Sequence, residues 1–256
     1  MRNILSRANR EVLVQFAWSN ALIAFDFDGT LAPIVTEPDR AWMRPKTRDL
    51  LGALTRLAPV VVISGRGRGD ALARTEGVPV RAVIGSHGLD PSYAMDRYRG
   101  EVKSWLPVLE QAVAPFKGVF VEDKTFSIAV HYRKARAKRE ARAAVLRTVA
   151  ELGHVRVLGG KQVVNLLPEG APHKGVALLR ERDRLRCDTA IYVGDDETDE
   201  DVFTLDQPGR LLTIRVGAKR SSAAGYYLMN QRAIDPFLRA LVELRGRAQR
   251  DARAVR

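Results

Sequence analysis

Short apolar segments separated by helix-like stretches dominate the hydrophobic pattern of the chain. Each segment ends in a polar or glycine-rich loop, and the five segments are Ala21–Phe25, Val60–Ile63, Ala82–Ile84, 190–193 and Leu211–Val216. Four of them are near-continuous apolar runs, as is typical of strands buried on both faces of a parallel sheet. Helices are predicted between them at 47–57, where leucines share one face, and over shorter stretches at 174–182 and 200–205. This alternation predicts an α/β fold with a doubly wound parallel sheet.

The pattern changes between residues 89 and 168, where helix, strand, strand is predicted to occur twice. The helices are expected at 102–113 and 135–152, and the strands at 119–123, 126–132, 155–158 and 162–167. The first two strands tend to alternate apolar and polar residues, as half-exposed antiparallel strands do. We therefore expect an inserted α+β domain at residues 89–170, with the α/β core formed by residues 1–88 and 171–256. One continuous domain with an irregular edge is the alternative.

Composition narrows the class of protein. With 256 residues, of which 46% are hydrophobic and 28% charged, the chain can bury its own core and does not have a disordered composition. Cys187 is the only cysteine, which excludes a disulfide framework and favours a reducing compartment. No apolar run is long enough to span a membrane, and the first residues lack the apolar core of a signal peptide. The sequence therefore predicts a cytoplasmic protein.

An acidic motif directly follows the first apolar segment. Asp26 and Asp28 stand two residues apart near the end of a buried strand, where carboxylates repel each other and lose hydration. A hard divalent cation such as Mg²⁺ would resolve this conflict, and Gly29 permits a tight turn beside it. The alternative is an acidic pair that only forms a turn, because Asp-Gly is common in turns.

A second acidic cluster follows the strand predicted at 190–193. It contains Asp195, Asp196 and Asp199 and leads into a predicted helix. An acidic helix start is favoured by the helix dipole, and this explains residues 198–201. It explains less well why Asp195 and Asp196 stand directly behind a strand. Two acidic strand ends in one sheet therefore favour a metal site.

Groups that bind phosphate follow another strand and begin a later helix. Ser64, Gly65 and Arg66 offer a hydroxyl, flexible backbone N–H groups and a guanidinium. The glycines near them lack the spacing of a dinucleotide-binding loop, so that interpretation is rejected. Lys174 could neutralise a nucleophile and a phosphate crowded together, and the alternative for it is an ordinary surface lysine.

In this order the motifs resemble those of phosphatases of the haloacid dehalogenase superfamily. The motifs are Asp26-Phe27-Asp28-Gly29-Thr30-Leu31, Ser64-Gly65-Arg66, Lys174-Gly175 and Gly194-Asp195-Asp196-Glu197-Thr198-Asp199-Glu200. More narrowly, the chain resembles trehalose-6-phosphate phosphatases. The narrower resemblance is carried by Gly85-Ser86-His87-Gly88, Glu122-Asp123-Lys124, Ala129-Val130-His131-Tyr132-Arg133 and Gly160-Lys161-Gln162-Val163-Val164.

The resemblance implies a role for each motif. Asp26 is expected to be the nucleophile that forms an aspartyl-phosphate, and Asp28 the general acid and base. Ser64 and Lys174 are expected to bind the phosphoryl oxygens. Mg²⁺ is the implied cofactor, and its expected ligands and supporting groups are Asp26, the Asp28 carbonyl, Asp195, Asp196 and Asp199. The expected contacts to a phosphosugar substrate are Gly65, Arg66, His87, Gly88, Glu122, Lys124, His131, Arg133, Lys161 and Asn165.

Two positions depart from the residues usual in that family. Asn165 and Asp90 both stand where the family commonly has glutamate. A neutral amide can still hydrogen-bond a hydroxyl, but Asn carries no charge and differs from Glu in length. The resemblance implies trehalose 6-phosphate as substrate. A related phosphosugar, such as a glucosyl- or mannosyl-glycerate phosphate, is the alternative.

The excess of basic over acidic residues suggests a different class of function, nucleic-acid binding. Lys and Arg number 42 against 30 Asp and Glu, a net charge of +12 that suits a nucleic acid or an acidic small molecule. The densest basic run, 133–142, spreads around several helix faces, and no aromatic residues are interleaved for base stacking. A solvated surface is therefore favoured over nucleic-acid binding. No membrane partner is expected, a monomer is favoured, and the basic tail at 245–256 is predicted to be a frayed end or an oligomer contact.

Overall fold

A computed structural model describes residues 1–89, 95–160 and 162–254 of the protein. Its strands are β1 (Arg2–Asn3), β2 (Ala21–Phe25), β3 (Val60–Ile63), β4 (Ala82–Ile84), β5 (Phe120–Asp123), β6 (Ile128–His131), β7 (Val155–Gly160), β8 (Val163–Pro168), β9 (Thr189–Gly194), β10 (Leu211–Val216) and β11 (Tyr226–Leu228). Its helices are α1 (Arg10–Trp18), α2 (Pro45–Thr55), α3 (Arg68–Thr75), α4 (Met95–Val113), α5 (Lys138–Leu152), α6 (Lys174–Arg184), α7 (Glu200–Phe203) and α8 (Ile234–Ala254). Each of the apolar segments named above forms a strand.

The larger sheet has seven strands in the order β1-β11-β10-β9-β2-β3-β4, and all neighbours are parallel. Side chains of β2 alternate between two separate apolar layers. Ile23 and Phe25 enter one layer, while Leu22 and Ala24 enter the other. Because both faces are buried, the strand has an unbroken apolar sequence. This arrangement confirms the predicted α/β fold with a doubly wound parallel sheet.

The central strands β2 and β9 bring the two acidic motifs to one edge of this sheet. Phe25, the last residue of β2, pairs with Val193 of β9. Asp26 then donates its backbone N–H to the carbonyl of Val193 at 2.9 Å. The residues that follow both strands therefore lie at the carboxyl edge, where ligands bind in open α/β sheets.

The smaller sheet lies between β4 and α6 in sequence, and its antiparallel strands have the order β5-β6-β8-β7. One face packs on α4 and α5 through a buried cluster that includes Val130, Val145 and Val164. Ala129 pairs with Glu122 on one side and with Asn165 on the other. Since cross-strand partners share a face, Glu122 and Asn165 both lie on the face away from these helices. The order of elements is the one expected for the inserted segment.

The basic C-terminal segment is part of the fold. It belongs to α8, whose buried apolar stripe consists of Ile234, Phe237, Leu238, Leu241 and Leu244. Arg245 donates hydrogen bonds to the backbone carbonyls of Ala17, Ser19 and Leu57. Of the two alternatives for this segment, the structure does not agree with a frayed end as far as Ala254, because these residues continue α8. An oligomer contact stays a prediction.

Other differences from the predicted elements concern helix bounds. α4 begins at Met95 rather than at 102, because its first turns are polar and do not show the apolar spacing of the later ones. α7 ends at Phe203 rather than at 205. Helices α1, α3 and α8 and strands β1 and β11 were not predicted. Within the described ranges, no helix combines the length and the apolar character that crossing a membrane requires.

Candidate active site

Four buried charged side chains meet at the carboxyl edge of the larger sheet. Asp26 follows β2, Asp195 follows β9, and Asp199 lies in the next turn of chain. These three carboxylates each place an oxygen within 4.8 Å of the others. Lys174, the first residue of α6, donates to Asp26 Oδ1 at 2.8 Å and to Asp199 Oδ1 at 2.7 Å. The fold therefore assembles one site from segments far apart in sequence.

The electrostatics of this cluster keep Lys174 charged. Burial lowers the pKa of Lys174, but Asp199 and Asp26 outweigh it and raise the pKa above its ordinary value. Burial raises the pKa of Asp26 well above its ordinary value; Lys174 opposes this rise, while Asp199 and Asp195 add to it. One lysine thus offsets only part of the charge of three carboxylates. A further cation would stabilise the ionised forms of all three.

The residues present fit a divalent cation. Carboxylate oxygens are hard ligands of the kind that Mg²⁺ takes in proteins. Gly29 has a φ of +82°, and a Cβ at this position would collide with the carboxylate of Asp195. Glycine is therefore required where Asp195 approaches the loop that follows β2.

Asp196 lies beside this cluster and caps the following turn. Its carboxylate accepts from the N–H of Glu197 at 2.8 Å, and Asp199 Oδ2 accepts from the N–H of Asp196 at 2.8 Å. Burial raises the pKa of Asp196. This reciprocal capping fixes Asp199 relative to the end of β9.

Asp28 is held by an arginine. Arg66 Nε donates to Asp28 Oδ2 at 2.6 Å, and Arg66 Nη2 donates to Asp28 Oδ1 at 2.7 Å. Arg66 also donates to Asp70, which accepts from the buried Arg74. Burial opposes ionisation of Asp70, but Arg74 and Arg66 lower its pKa overall. Arg66, expected to contact substrate, thus orients Asp28 in this structure through a bidentate pair.

His87 is a buried histidine in an unusual backbone conformation. Its φ of 59° is a left-handed conformation that is uncommon for residues other than glycine. Both ring nitrogens are buried, and neither has a hydrogen-bond partner among the described residues. Burial, with the charges of Lys124 and Lys174, lowers the pKa of His87 well below its ordinary value. The neutral ring can donate from one nitrogen and accept at the other.

A cavity of about 630 Å³ lies between the two sheets and is lined by residues of both. Of the residues predicted from sequence, those that line it are Asp26, Asp28, Gly65, Arg66, His87, Glu122, Lys124, His131, Asn165, Lys174 and Asp196. Glu122, His131 and Asn165 lie on the face of the smaller sheet that points away from its helices, with Lys124 just after β5. The other residues of this set lie at the carboxyl edge of the larger sheet. The cavity therefore places carboxylates and a lysine opposite a wall of polar side chains.

The wall formed by the smaller sheet is itself hydrogen-bonded. His131 Nε2 lies 2.7 Å from Glu122 Oε2, and Lys124 Nζ lies 3.9 Å from the same oxygen. Burial raises the pKa of Glu122, but His131 and Lys124 lower it overall. Burial lowers the pKa of Lys124, which donates to the carbonyl of Gly65 at 3.4 Å. That bond connects the two sides of the cavity.

The remaining predicted residues have other surroundings. Arg133 lines a smaller cavity of about 230 Å³ that shares Asp28 and His131 with the larger one. Ser64 is buried, and its Oγ accepts from the N–H of Arg66 at 3.1 Å. Gly88 has a φ of +110° and abuts the backbone of His173, so it contacts the start of α6. Lys161 and Asp90 lie outside the described residues.

The structure also reveals site residues that the sequence reasoning missed. Tyr192 in β9 donates its buried hydroxyl to Asp199 Oδ1 at 2.7 Å. Arg156 of β7 pairs with Asp201 of α7 and so connects the two sheets. A signal existed for Tyr192, because a hydroxyl in a strand buried on both faces needs a partner. Arg156 carried no such signal, since its partner is known only from the fold.

The sequence is similar to those of known proteins. The family model described as trehalose-phosphatase matches residues 24–230. The trehalose-phosphate phosphatase of Mycobacterium tuberculosis (strain H37Rv) is 38% identical over 201 residues, which cover 73% of this chain and 51% of that protein. The trehalose-phosphate phosphatase of Mycobacterium leprae (strain TN) is 38% identical over 201 residues, with coverage of 71% and 46%. The chain spans about half the length of these curated relatives.

Solved structures share the fold. The C-terminal domain of Candida albicans trehalose-6-phosphate phosphatase has a TM-score of 0.77 at 23% identity, covering 93% of this chain and 97% of that one. Aspergillus fumigatus trehalose-6-phosphate phosphatase, crystal form 3, has a TM-score of 0.63 at 25% identity, covering 95% and 99%. Because the family match runs through both acidic motifs and the smaller sheet, the chain belongs to the trehalose-phosphatase family of the haloacid dehalogenase superfamily.

Proposed function

We propose that the protein hydrolyses trehalose 6-phosphate to trehalose and phosphate, with Mg²⁺ as cofactor. The observation that carries this proposal is the Asp26–Lys174 pair at one side of the cavity, opposite the polar face of the smaller sheet. A carboxylate nucleophile and a cation suit the phosphoryl end of a phosphosugar. Polar side chains on the opposite wall suit its hydroxyls.

In the first step, a carboxylate oxygen of Asp26 forms a bond to phosphorus while the bond between phosphorus and the sugar oxygen breaks. The sugar oxygen takes a proton from the carboxyl group of Asp28 and leaves as a hydroxyl. Asp28 stands two residues from the nucleophile, so both can face one phosphoryl group. In the structure Asp28 is paired with Arg66, and protonation of the sugar oxygen requires Asp28 to turn from that partner.

In the second step, Asp28 removes a proton from a water molecule, whose oxygen forms a bond to phosphorus. The bond between phosphorus and Asp26 breaks, inorganic phosphate leaves, and both carboxyl groups return to their initial states. Lys174 remains beside Asp26 throughout, where it offsets negative charge on the nucleophile and the phosphoryl group. Ser64 supplies a hydroxyl to the phosphoryl oxygens.

The cation would be held by Asp26, Asp195 and Asp199, together with the carbonyl of Asp28 and with support from Asp196. When bound, Mg²⁺ neutralises charge that otherwise makes the nucleophile and the phosphoryl group repel each other. The oxygen-rich ligand set supports this choice of metal. The sugar would be bound by His87 and by the other residues that the family resemblance implies, namely Glu122, Lys124, His131, Arg133, Lys161 and Asn165.

The function is tested by phosphate release from a panel of substrates, with and without EDTA. The panel contains trehalose 6-phosphate, glucose 6-phosphate, and glucosyl- and mannosyl-glycerate phosphates. We expect the highest kcat/KM with trehalose 6-phosphate, loss of activity in EDTA, and recovery after excess Mg²⁺. Preference for a glycerate-linked substrate would contradict the proposed sugar, and EDTA-resistant release would contradict the proposed cofactor.

The close approach of the His87 ring to Gly65 leads to a prediction. A Cβ at position 65 would overlap the His87 ring. We expect Gly65→Ala to displace the imidazole and raise KM about tenfold, the scale of one lost polar contact, with a smaller change in kcat. Gly69→Ala is the matched control, because nothing lies within 4 Å of a Cβ there. Steady-state kinetics check this, and an unchanged KM in Gly65→Ala would contradict a substrate role for His87.

Asn165 is the position expected to set sugar preference. It is 6% exposed and lines the cavity from β8. We expect Asn165→Glu to change the ratio of kcat/KM between panel substrates by about tenfold, while leaving the Mg²⁺ requirement unchanged. Asn165→Gln is the matched control, since it has the length of Glu without its charge. Equal relative rates in both variants and the parent would remove Asn165 from the determinants of specificity.

A further inference from the structure

A buried arginine lies behind the second acidic motif. Arg215 is the only charged residue in strand β10, and it is 7% exposed. It pairs in the sheet with Gly194, the last residue of β9. Its side chain therefore starts beside the point where the acidic loop leaves the sheet. A buried guanidinium is costly unless its N–H groups are hydrogen-bonded.

The guanidinium donates to three acceptors in the segment that follows β9. Arg215 Nη2 donates to the carbonyl of Asp195, and Arg215 Nη1 donates to the carbonyl of Asp196 at 3.0 Å. Nη1 also donates to Glu200 Oε1 at 3.0 Å, and Glu200 Oε2 accepts from the N–H of Ala223 at 2.9 Å. One planar group thus fixes two successive carbonyls and is itself fixed by Glu200.

These contacts hold the backbone that carries the Asp195 carboxylate. Asp199 is fixed separately, by Lys174, by the hydroxyl of Tyr192 and by the N–H of Asp196. Asp195 instead has its own carbonyl and that of the next residue bonded to Arg215. With the backbone fixed on that side, the carboxylate fits against Gly29, where a Cβ would leave no room for it.

We propose that Arg215 is a positioning residue for the divalent-cation site, acting through the backbone of Asp195 and Asp196. The inference rests on the proposed function in taking Asp26, Asp195 and Asp199 as the cation ligands. Arg215 does not touch the substrate or the reacting atoms. Its removal is therefore expected to weaken cation binding more than it lowers turnover at saturating Mg²⁺. A merely structural arginine would change stability without changing cation affinity.

The test is calorimetric titration of MgCl₂ into substrate-free protein. Arg215→Lys keeps the charge but cannot donate in a planar fork, and Arg215→Gln keeps an N–H donor without the charge. Arg182→Lys is the matched control, because Arg182 is likewise buried, with 5% exposure, but donates to Gln207 and Asp183. Thermal melting without metal establishes that each variant is folded at the temperature of titration.

We expect the Kd for Mg²⁺ to rise about tenfold in Arg215→Lys and more in Arg215→Gln, the scale found for groups that orient metal ligands. The control should bind Mg²⁺ as the parent does, and kcat of Arg215→Lys should approach that of the parent at saturating Mg²⁺. Parent-like Kd in either folded Arg215 variant would overturn the inference. A parent that binds Mg²⁺ but releases no phosphate from any phosphosugar would instead contradict the proposed function alone.

Discussion

Asp26→Asn is expected to lower kcat for phosphate release by about 10³-fold or more, since no other group in the proposed chemistry can form the covalent intermediate. The same change should not destabilise the fold. Burial raises the pKa of Asp26, so in the metal-free protein its ionised form opposes folding above the ordinary carboxyl pKa. A neutral amide removes that cost. The melting temperature without Mg²⁺ should therefore equal or exceed that of the parent.

Phosphate release and thermal melting, measured on the same preparation, check both parts of this result. Asp49→Asn is a suitable control, because Asp49 is exposed on α2 and should leave both measurements unchanged. Asp28→Asn should also reduce phosphate release strongly. Full activity in Asp26→Asn would refute the covalent route. A variant that is less stable than the parent would contradict the inference that the ionised form of Asp26 opposes folding.

Lys174→Met is expected to reduce both stability and activity. The substitution leaves Asp26 and Asp199 buried without the cation that bonds both of them, and loss of one partner from a buried ion pair costs about 3–5 kcal/mol. The free energy of unfolding in EDTA should fall by that amount. With Mg²⁺ present, kcat should still fall by about 10²-fold or more, because the phosphoryl group loses a fixed positive charge.

Urea unfolding and steady-state kinetics measure the two effects separately. Lys46→Met, an exposed lysine on α2, is the control. The double variant Lys174→Met/Asp199→Asn also removes one of the two carboxylates that lost their cationic partner. It should recover part of the lost stability without recovering activity. Parent-like unfolding of Lys174→Met in EDTA would contradict the assigned charge balance.

Five of the seven strands of the larger sheet were predictable, because their buried environment leaves a direct mark on the sequence. Ala21–Phe25 and Val60–Ile63 are buried on both faces, so they are apolar at every position. Helix α8 was not predicted, although its apolar residues at 234, 237, 238, 241 and 244 have the spacing of one helical face, which packs against α1 and α2. The first turns of α4 were missed because they are polar.

The candidate site was predictable where its chemistry lies in short motifs. Asp26 and Asp195 follow strands that pair in the sheet, so their proximity follows from the topology. The pairing of Arg66 with Asp28 and the support of Arg215 could not be predicted, because each joins segments whose relative position only the fold defines. A charged residue in an apolar strand was the one available signal for Arg215.

Trapping the intermediate tests the central claim most directly. The protein is mixed with trehalose 6-phosphate and Mg²⁺, quenched in acid within one turnover, reduced with borohydride and digested for mass spectrometry. Reduction converts an aspartyl-phosphate to homoserine, and we expect this residue at position 26 in the parent but not in Asp26→Asn or in EDTA. Turnover of the substrate with unmodified Asp26, or with homoserine at another position, would contradict the account.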